Sequence, residues 1–387
     1  MIKIIGLLLL FNFCLSDDIL KQKEETLMNK ELLLKQYKDM AKIVKDKPHL
    51  KQTQEYVTTI EALAQVYALE DNYIESNKLL EDSRKLYYNP SIDHAYGMHK
   101  MFLGDYKGFS FYHNRYKKND SAFAIPNFPM EQIRSVYRIQ KDDVFLVLNE
   151  QGIGDEILFN RVIPFISERS KIAHIKVRKE LLEYFKNKYS HLKNIVFFTG
   201  SYNQEKVNEF TSWALIGDLF ASMTEEDMFK TSNKNVIPFK LSTDKLNIGI
   251  SYSHGTLDNT KESAHVLQIK AKRGVPQEWF VENLVNKGYN VVDYTYNTKI
   301  DTIKGYQYPK DFMETYNNLK KENINLVVTI DSAFGHFTAD MGIPTIIVIN
   351  QYKDWRWSFN TAEYNKFFNN IKVLNLDEVE NYLKNQK

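Results

Sequence analysis

The sequence predicts an α/β protein in which two Rossmann-like domains follow an α-helical region. The strongest evidence lies near the C-terminus, where two apolar, β-branched runs, Leu326–Ile330 and Thr345–Ile349, flank a segment of helix length. Asp331 and Ser332 are good N-cap residues for that helix, and a Gly-x-Pro sequence ends it. Strand, helix and strand in this order form a βαβ unit, so we expect two parallel strands that are buried on both faces.

The first α/β domain is predicted over residues 126–242, after a proline-containing linker. A strand at Val144–Leu148 leads into the glycine turn Asn149-Glu150-Gln151-Gly152-Ile153-Gly154-Asp155. A helix over residues 156–168, which Pro164 should kink or end, comes next, and strands follow at residues 172–177 and Ile195–Phe198. We also predict helices over residues 180–189 and 213–223.

The second α/β domain is predicted over residues 243–387. Besides the βαβ unit, it contains candidate strands at residues 246–251, 291–294 and 371–374 and a helix over residues 278–286. Two consecutive α/β halves with ligand-type turns predict a cleft between them.

Residues 17–125 form the predicted helical region. Between residues 55 and 90, small and aromatic residues fall near the positions typical of a tetratricopeptide (TPR) repeat: Ala64, Tyr67, Tyr73, Ser76, Leu80 and Pro90. A looser copy extends to Tyr116. A generic helical domain without a peptide-binding groove explains the same pattern, so both interpretations stay open.

Residues 1–16 place a short apolar core behind a single lysine, which is typical of a secretory signal peptide and short for a membrane span. A membrane tether and a plain N-terminal helix are the alternatives. The location of the protein therefore stays undecided between cytoplasmic, membrane-associated and secreted.

Composition excludes several function classes. With 51 basic and 49 acidic residues the net charge is +2, so we expect no general binding to nucleic acid. Cys14 is the only cysteine, which excludes disulfides within the chain and disfavours a cysteine-based metal site. The sequence contains neither an HExxH motif nor a P-loop.

Three segments resemble a known family. The turn Glu150–Asp155, the segment from Asp331 through His336 to Pro344, and the run Asp354-Trp355-Arg356-Trp357 are similar to motifs of tetratricopeptide-linked glycosyltransferases of the GT-B fold. These are relatives of the ADP-heptose lipopolysaccharide heptosyltransferases. The resemblance covers roughly residues 106–387. The chain departs from the family at residues 252–255, where relatives have Trp-x-Gly-Asn, and in the long loop that follows.

The resemblance implies inverting, metal-independent transfer of a sugar from a nucleotide-diphosphate donor to a hydroxyl of a glycan or protein acceptor. It places the catalytic base at Asp155, with Glu150 in reserve, and it implies that no cofactor is needed besides the donor substrate. The residues implied to contact the donor are Gly152, Gly154, His254, Lys272, Arg273, Asp331, Ser332, His336 and Arg356. The absence of a close Asp-x-Asp pair disfavours a metal-dependent transferase of the other main fold.

Each of these roles has a structural alternative. Asp155 is equally well explained as a residue that caps a helix, and Asp331 is better explained as a cap than as a phosphate ligand, because its charge repels an anion. The basic residues Lys270, Lys272 and Arg273 suit a diphosphate or a solvated loop. Arg356 suits a phosphate or a neighbouring acid such as Asp354, and Trp357 suits a packing anchor. For the whole protein, the alternatives to an enzyme are a non-catalytic GT-B-like binding module and a TPR-type scaffold.

Overall fold

The computed structural model divides the chain into two compact units, Met1–Pro126 and Asn127–Lys387. The structure describes residues 31–32, 34–40, 42–43, 53–70, 72–86, 88–116, 126, 128–201, 204–230, 246–253, 273–295, 300–301, 303–306, 311–351 and 353–384. The predicted signal-like segment 1–16, the predicted boundary near residue 242, and His254, Lys270 and Lys272 lie outside these residues. Within the described part of the chain, we find no helix with the length and apolarity that a bilayer crossing requires.

The described residues of the first unit form helices, as predicted. The unit contains α1 (Gln54–Leu69), α2 (Tyr73–Leu86) and α3 (Pro90–Phe102), followed by a 3-10 helix at Tyr106–Tyr116. Asn89 caps α3 by accepting the backbone N–H of Ser91 at 2.8 Å, and Pro90 occupies the first turn, where its missing N–H costs nothing.

Small residues let the helices of this unit approach closely. Ser76 on α2 donates to the Ala64 carbonyl of α1 at 3.0 Å and lies 2.6 Å from Nδ1 of His99 on α3. A Cβ added at Gly97 would lie 2.8 Å from the Gly108 carbonyl oxygen, so α3 and the 3-10 helix meet backbone to backbone. Whether these helices form TPR repeats stays a prediction.

The second unit contains two parallel sheets, which confirms the predicted fold class of two Rossmann-like α/β halves after a helical region. In the first sheet the strand order is β1-β5-β2-β3-β4. Its strands are β1 (Glu131–Gln132), β2 (Val144–Leu148), β3 (Ile172–Lys176), β4 (Ile195–Phe198) and β5 (Ser212–Leu215). Its helices are α4 (Ile153–Phe159), α5 (Ile163–Arg169), α6 (Leu182–Lys188), α7 (Ile216–Ala221) and α8 (Glu225–Lys230).

In the second sheet the strand order is β11-β10-β9-β6-β7-β8. Its strands are β6 (Asn247–Ser251), β7 (Asn290–Asp293), β8 (Lys304–Gly305), β9 (Leu326–Ile330), β10 (Thr345–Ile349) and β11 (Ile371–Asn375). Its helices are α9 (Gln277–Phe280, continued as a π-helix over Val281–Val285), α10 (Phe312–Lys321), α11 (Ala333–Asp340) and α12 (Leu376–Lys384).

The βαβ prediction is confirmed: β9 and β10 pair in parallel, and every residue of both strands is buried. Gly342 follows α11 with a φ of 84°, a conformation that glycine adopts without strain.

The predicted helix over residues 213–223 is wrong in its first part. Ser212–Leu215 forms β5, which pairs with β2 and β1, and the helix begins only at Ile216. The sequence did not reveal this strand because a fully buried apolar strand has no polar–apolar alternation that would distinguish it from a buried helix. Strands β1 and β8 and helices α8, α10 and α12 were not predicted at all.

Candidate functional site

The site lies at the carboxyl edges of both sheets in the second unit, where the strand order reverses. In the first sheet the chain runs β2, β3, β4 in one direction and places β5 on the other side of β2. In the second sheet it runs β6, β7, β8 and then places β9 on the other side of β6. Open α/β sheets bind ligands at such switch points, where adjacent loops diverge. The glycine turn follows β2 and the Asp331-Ser332 turn follows β9, so both predicted motifs occupy a switch point.

The two motifs meet through helices α4 and α11, which pack on each other. A Cβ added at Gly154 would lie 2.8 Å from Cδ2 of His336, so this glycine admits the imidazole ring. Gly152 is the N-cap of α4, and its N–H donates to Oδ2 of Asp155 at 3.1 Å. Helix α4 therefore begins three residues before the predicted start, and Asp155 lies in its first turn.

Five charged side chains of alternating sign connect the two motifs, and we call them the acid–arginine row: Asp155, Arg356, Asp354, Arg273 and Asp331. Arg356 contacts Oδ1 of Asp155 through one nitrogen and donates to Oδ1 of Asp354 at 2.5 Å through another. Arg273 donates to the second oxygen of Asp354 at 2.8 Å, and its Nε lies 3.1 Å from Oδ2 of Asp331. The row runs from the first sheet's turn to the second sheet's turn without a gap.

The backbone around Asp354 explains why the row forms there. Asp354 caps the 3-10 helix Trp355–Trp357 by accepting the Arg356 N–H at 3.2 Å, and the Arg356 guanidinium stacks over the Trp355 ring at 4.5 Å. The Trp357 side chain is fully buried. Arg356 therefore pairs with neighbouring acids, one of the two roles left open for it, and Trp357 is packed as an anchor residue would be, whereas contact of Arg356 with a phosphate stays a prediction.

Burial makes the row electrostatically strong, because charges in a low-dielectric environment interact more than in water. The side chains of Asp155 and Arg356 are 12% and 13% exposed, and that of Asp354 is 9% exposed. Burial raises the pKa of Asp354 to about 7, while the neighbouring Arg273 guanidinium acts in the opposite direction.

His336 lies in the first turns of α11, buried between the two halves. Its ring packs at 4.6 Å from that of Trp357 and at 5.9 Å from that of Phe368, measured between centroids. Burial lowers the pKa of His336 to about 4, with Asp331 opposing this shift and Arg161 adding to it. The imidazole is therefore uncharged at neutral pH.

Helix α11 begins without a side-chain cap at Ser332. The interpretation of Asp331 as the capping residue is wrong, because Arg273 holds its carboxylate in an ion pair. The Ser332 hydroxyl is buried and has no hydrogen-bond partner among the described residues. Glu150 accepts the N–H of Gly217 at 2.9 Å and so satisfies a backbone donor in the first turn of α7, at the first switch point.

A second buried cluster joins the two halves and was missed in the sequence analysis. Lys188 of α6 contacts both carboxylate oxygens of Asp340 of α11 at 2.6 Å, and Tyr184 donates to the same carboxylate at 2.7 Å. Arg161 is buried nearby, with its guanidinium carbon 4.3 Å from the Phe368 ring centroid. Burial lowers the pKa of Arg161 to about 10. The only sign of this cluster in the sequence is Arg161 itself, a basic residue within an apolar run.

The structure therefore brings together Gly152, Gly154, Asp155, Arg273, Asp331, Ser332, His336 and Arg356. The other two predicted site residues, His254 and Lys272, lie outside the described residues. Asp354, which connects the two arginines, was not among the predicted site residues.

Comparisons with known proteins find similarity at the level of architecture. No protein-family model matches the chain, and no curated protein sequence matches it. Among solved structures, it is similar to the dodecameric iron-containing glycosyltransferase TibC from enterotoxigenic E. coli, with 12% identity, a TM-score of 0.38, and coverage of 60% of this chain and 64% of TibC.

Two further solved structures are similar to parts of the chain. The ADP-heptose lipopolysaccharide heptosyltransferase II of E. coli matches with 10% identity and a TM-score of 0.40, over 62% of this chain and 98% of the other. An O-GlcNAc transferase mutant from Thermobaculum terrenum matches with 7% identity and a TM-score of 0.26, over 88% and 84%. Identities and TM-scores this low assign no activity to this chain.

Proposed function

We propose that this protein is a glycosyltransferase that moves a sugar from a nucleotide-diphosphate donor to a hydroxyl acceptor, with inversion and without a metal ion. The acid–arginine row carries the proposal. It places two guanidinium groups and a candidate base within one partly buried row, at the switch points of two Rossmann-like sheets.

The two arginines suit the leaving group. A guanidinium binds phosphate oxygens in a bidentate manner, and two of them neutralise charge that develops on a departing diphosphate, as a metal ion does in other transferases. The buried hydroxyl of Ser332 adds a hydrogen-bond donor at the start of α11. The donor phosphates would therefore bind on the side of the second sheet, near Arg273 and Ser332.

Asp155 suits the other half of the reaction. It is held at a fixed position by the Gly152 N–H, on the first sheet's side of the row. As the acceptor oxygen attacks the anomeric carbon, Asp155 would take the hydroxyl proton while the bond to the diphosphate breaks. The acceptor, a glycan or a protein, would bind against the first sheet's half.

A non-catalytic binding module is the second candidate, and one observation favours it. Both oxygens of Asp155 already have a partner inside the protein, one in the Gly152 N–H and the other in Arg356, as in a carboxylate that only supports the structure. Such a module would bind a nucleotide diphosphate and transfer nothing.

Donor binding is tested by thermal unfolding with ADP, UDP and GDP. A ligand at about 100 times its dissociation constant stabilises a protein by about 2.7 kcal/mol. For a unit of this size we expect a rise in Tm of about 5 °C for the correct nucleotide. The same panel with Arg273→Ala should show no rise, and Lys186→Ala, an exposed substitution on α6, serves as the matched control.

Transfer is tested by release of the nucleoside diphosphate from nucleotide sugars in the presence of candidate acceptors. We expect Asp155→Ala to abolish transfer while the nucleotide still raises Tm. Stabilisation by a nucleotide without any transfer would favour the binding module, and no stabilisation by any nucleotide would refute both candidates.

A further inference from the structure

Arg356 has two competing partners inside the protein. It contacts Asp155 on one side and donates to Asp354 on the other, at 2.5 Å. Asp155 cannot follow it, because its second oxygen is fixed by the Gly152 N–H of its own helix turn. Arg356 is the longer and more adaptable member of the pair, so a movement that separates the two is a movement of Arg356.

If Arg356 moved away from Asp155, it would keep its other stabilising contacts. Its guanidinium would keep the Trp355 ring, at 4.5 Å, and the carboxylate of Asp354. Asp354 is itself anchored by Arg273 at 2.8 Å. The separation therefore costs one ion pair, and an incoming anion supplies its replacement.

The ion pair between Arg356 and Asp155 affects how well Asp155 can act as a base. A guanidinium in contact with a carboxylate stabilises the ionised form, so an Asp155 that keeps Arg356 is a poor proton acceptor. An Asp155 that has lost this contact is a better one. The protein thus contains a carboxylate whose basicity depends on where one arginine lies.

We infer that Arg356 is a positioning residue shared between Asp155 and the diphosphate of the donor, so that donor binding draws Arg356 away and activates Asp155. This inference rests on the proposed function. The acceptor proton then moves to Asp155 as the acceptor oxygen bonds to the anomeric carbon, and the electron pair of the broken C–O bond leaves with the nucleoside diphosphate. Asp155 is therefore an effective base only while a donor is bound.

Competition for one arginine has a measurable consequence. When Asp155 and a diphosphate compete for the guanidinium of Arg356, each weakens the binding of the other, and the coupling is reciprocal. Removing the charge of Asp155 should therefore strengthen the binding of an anion to Arg356, although Asp155 is the proposed base. A purely structural ion pair predicts no such gain.

The test is calorimetric titration with inorganic pyrophosphate at pH 8, where Asp354 is ionised. We expect Asp155→Asn to lower the dissociation constant about tenfold, which corresponds to about 1.4 kcal/mol. Arg356→Ala should raise the dissociation constant. In the Arg356→Ala background, Asp155→Asn should change it less than twofold. Glu183→Gln, an exposed charge removal on α6, is the matched control and should change nothing.

The double variant separates competition from simple repulsion. An equal gain from Asp155→Asn with and without Arg356 would mean that the carboxylate merely repels the anion, and it would overturn the inference, as would an unchanged dissociation constant in Asp155→Asn alone. Arg356→Gln is the second background if Arg356→Ala does not fold, because it keeps a polar side chain but removes the charge for which the two anions compete.

The outcomes for the inference and for the proposed function are distinct. Sugar transfer without this coupling would overturn only the inference. Coupled binding of pyrophosphate without transfer would overturn the proposed function, and of the inference only the competition for Arg356 would remain. A wild-type protein that binds no pyrophosphate would overturn the inference, and transfer assays would still decide the function.

Discussion

Protonation of His336 is expected to destabilise the folded protein at acidic pH. The ring is 3% exposed, packs against Trp357, and fills the space left by the missing side chain of Gly154. A charged imidazole there would lose its hydration, and burial accordingly lowers the pKa of His336 from 6.5 to about 4.

The sign and size of the effect follow from proton linkage. Between pH 6.5 and about 4 the unfolded chain binds a proton at this histidine and the folded chain does not. The stability that the neutral ring contributes is therefore complete above pH 6.5 and is lost as the pH falls toward 4. At pH 5 the loss amounts to about 2 kcal/mol relative to pH 8.

Urea unfolding of the wild-type protein and of His336→Gln at pH 8 and pH 5 isolates this term, since glutamine does not titrate and the remaining titrating groups cancel in the difference. We expect the wild-type protein to lose about 2 kcal/mol relative to the variant between these two pH values. A difference in unfolding free energy that stays constant between pH 8 and pH 5 would show that His336 is not held neutral by its surroundings.

Two further predictions concern packing and charge away from the row. In the first unit, Gly97→Ala would place a Cβ 2.6 Å from Cβ of Phe111, so we expect a loss of about 1–3 kcal/mol in urea unfolding, against no change for the exposed control Lys78→Ala. A stability equal to that of the control would mean that the helices can separate freely. In the second unit, Lys188→Met removes the cation that contacts both carboxylate oxygens of Asp340 and should cost about 3–5 kcal/mol in urea unfolding, against no change for the exposed control Lys186→Met. A stability equal to that of the control would refute the role of this ion pair.

The sequence was most informative where a pattern is local. The runs at β2, β9 and β10 match the observed strands residue for residue, because buried parallel strands are continuous apolar stretches bounded by turn residues. The run at β4 matches as well, although β4 is an edge strand and Val196 is exposed. It was least informative at Ser212–Leu215, where four apolar and small residues fit a buried helix as well as a buried strand. Only pairing with β2, which lies more than sixty residues away in the chain, decides between them.

The residues of the candidate site also differ in how well the sequence predicts them. Asp155 and His336 were found through motifs, but their partners were not, since ion pairs between distant segments leave no periodic signal. Asp354 illustrates the limit: its neighbours in sequence suggested stacking and packing, whereas its role as the link between Arg273 and Arg356 depends on the folding of β6, β9 and the 3-10 helix toward one edge.

The charges of the acid–arginine row also constrain how a diphosphate could bind. With all groups ionised, the three aspartates and two arginines of the acid–arginine row leave a net charge of −1, which by itself would repel an anion. In the second cluster Arg161 and Lys188 exceed Asp340 by one positive charge, which only offsets the net charge of the row; Arg161 is buried and the Lys188 side chain is 24% exposed. Extra positive charge must then come from elsewhere, and in the sequence Lys270 and Lys272 immediately precede Arg273. Arg273 is therefore the residue at which a basic segment and the row meet, and its loss should weaken anion binding more than the loss of either lysine.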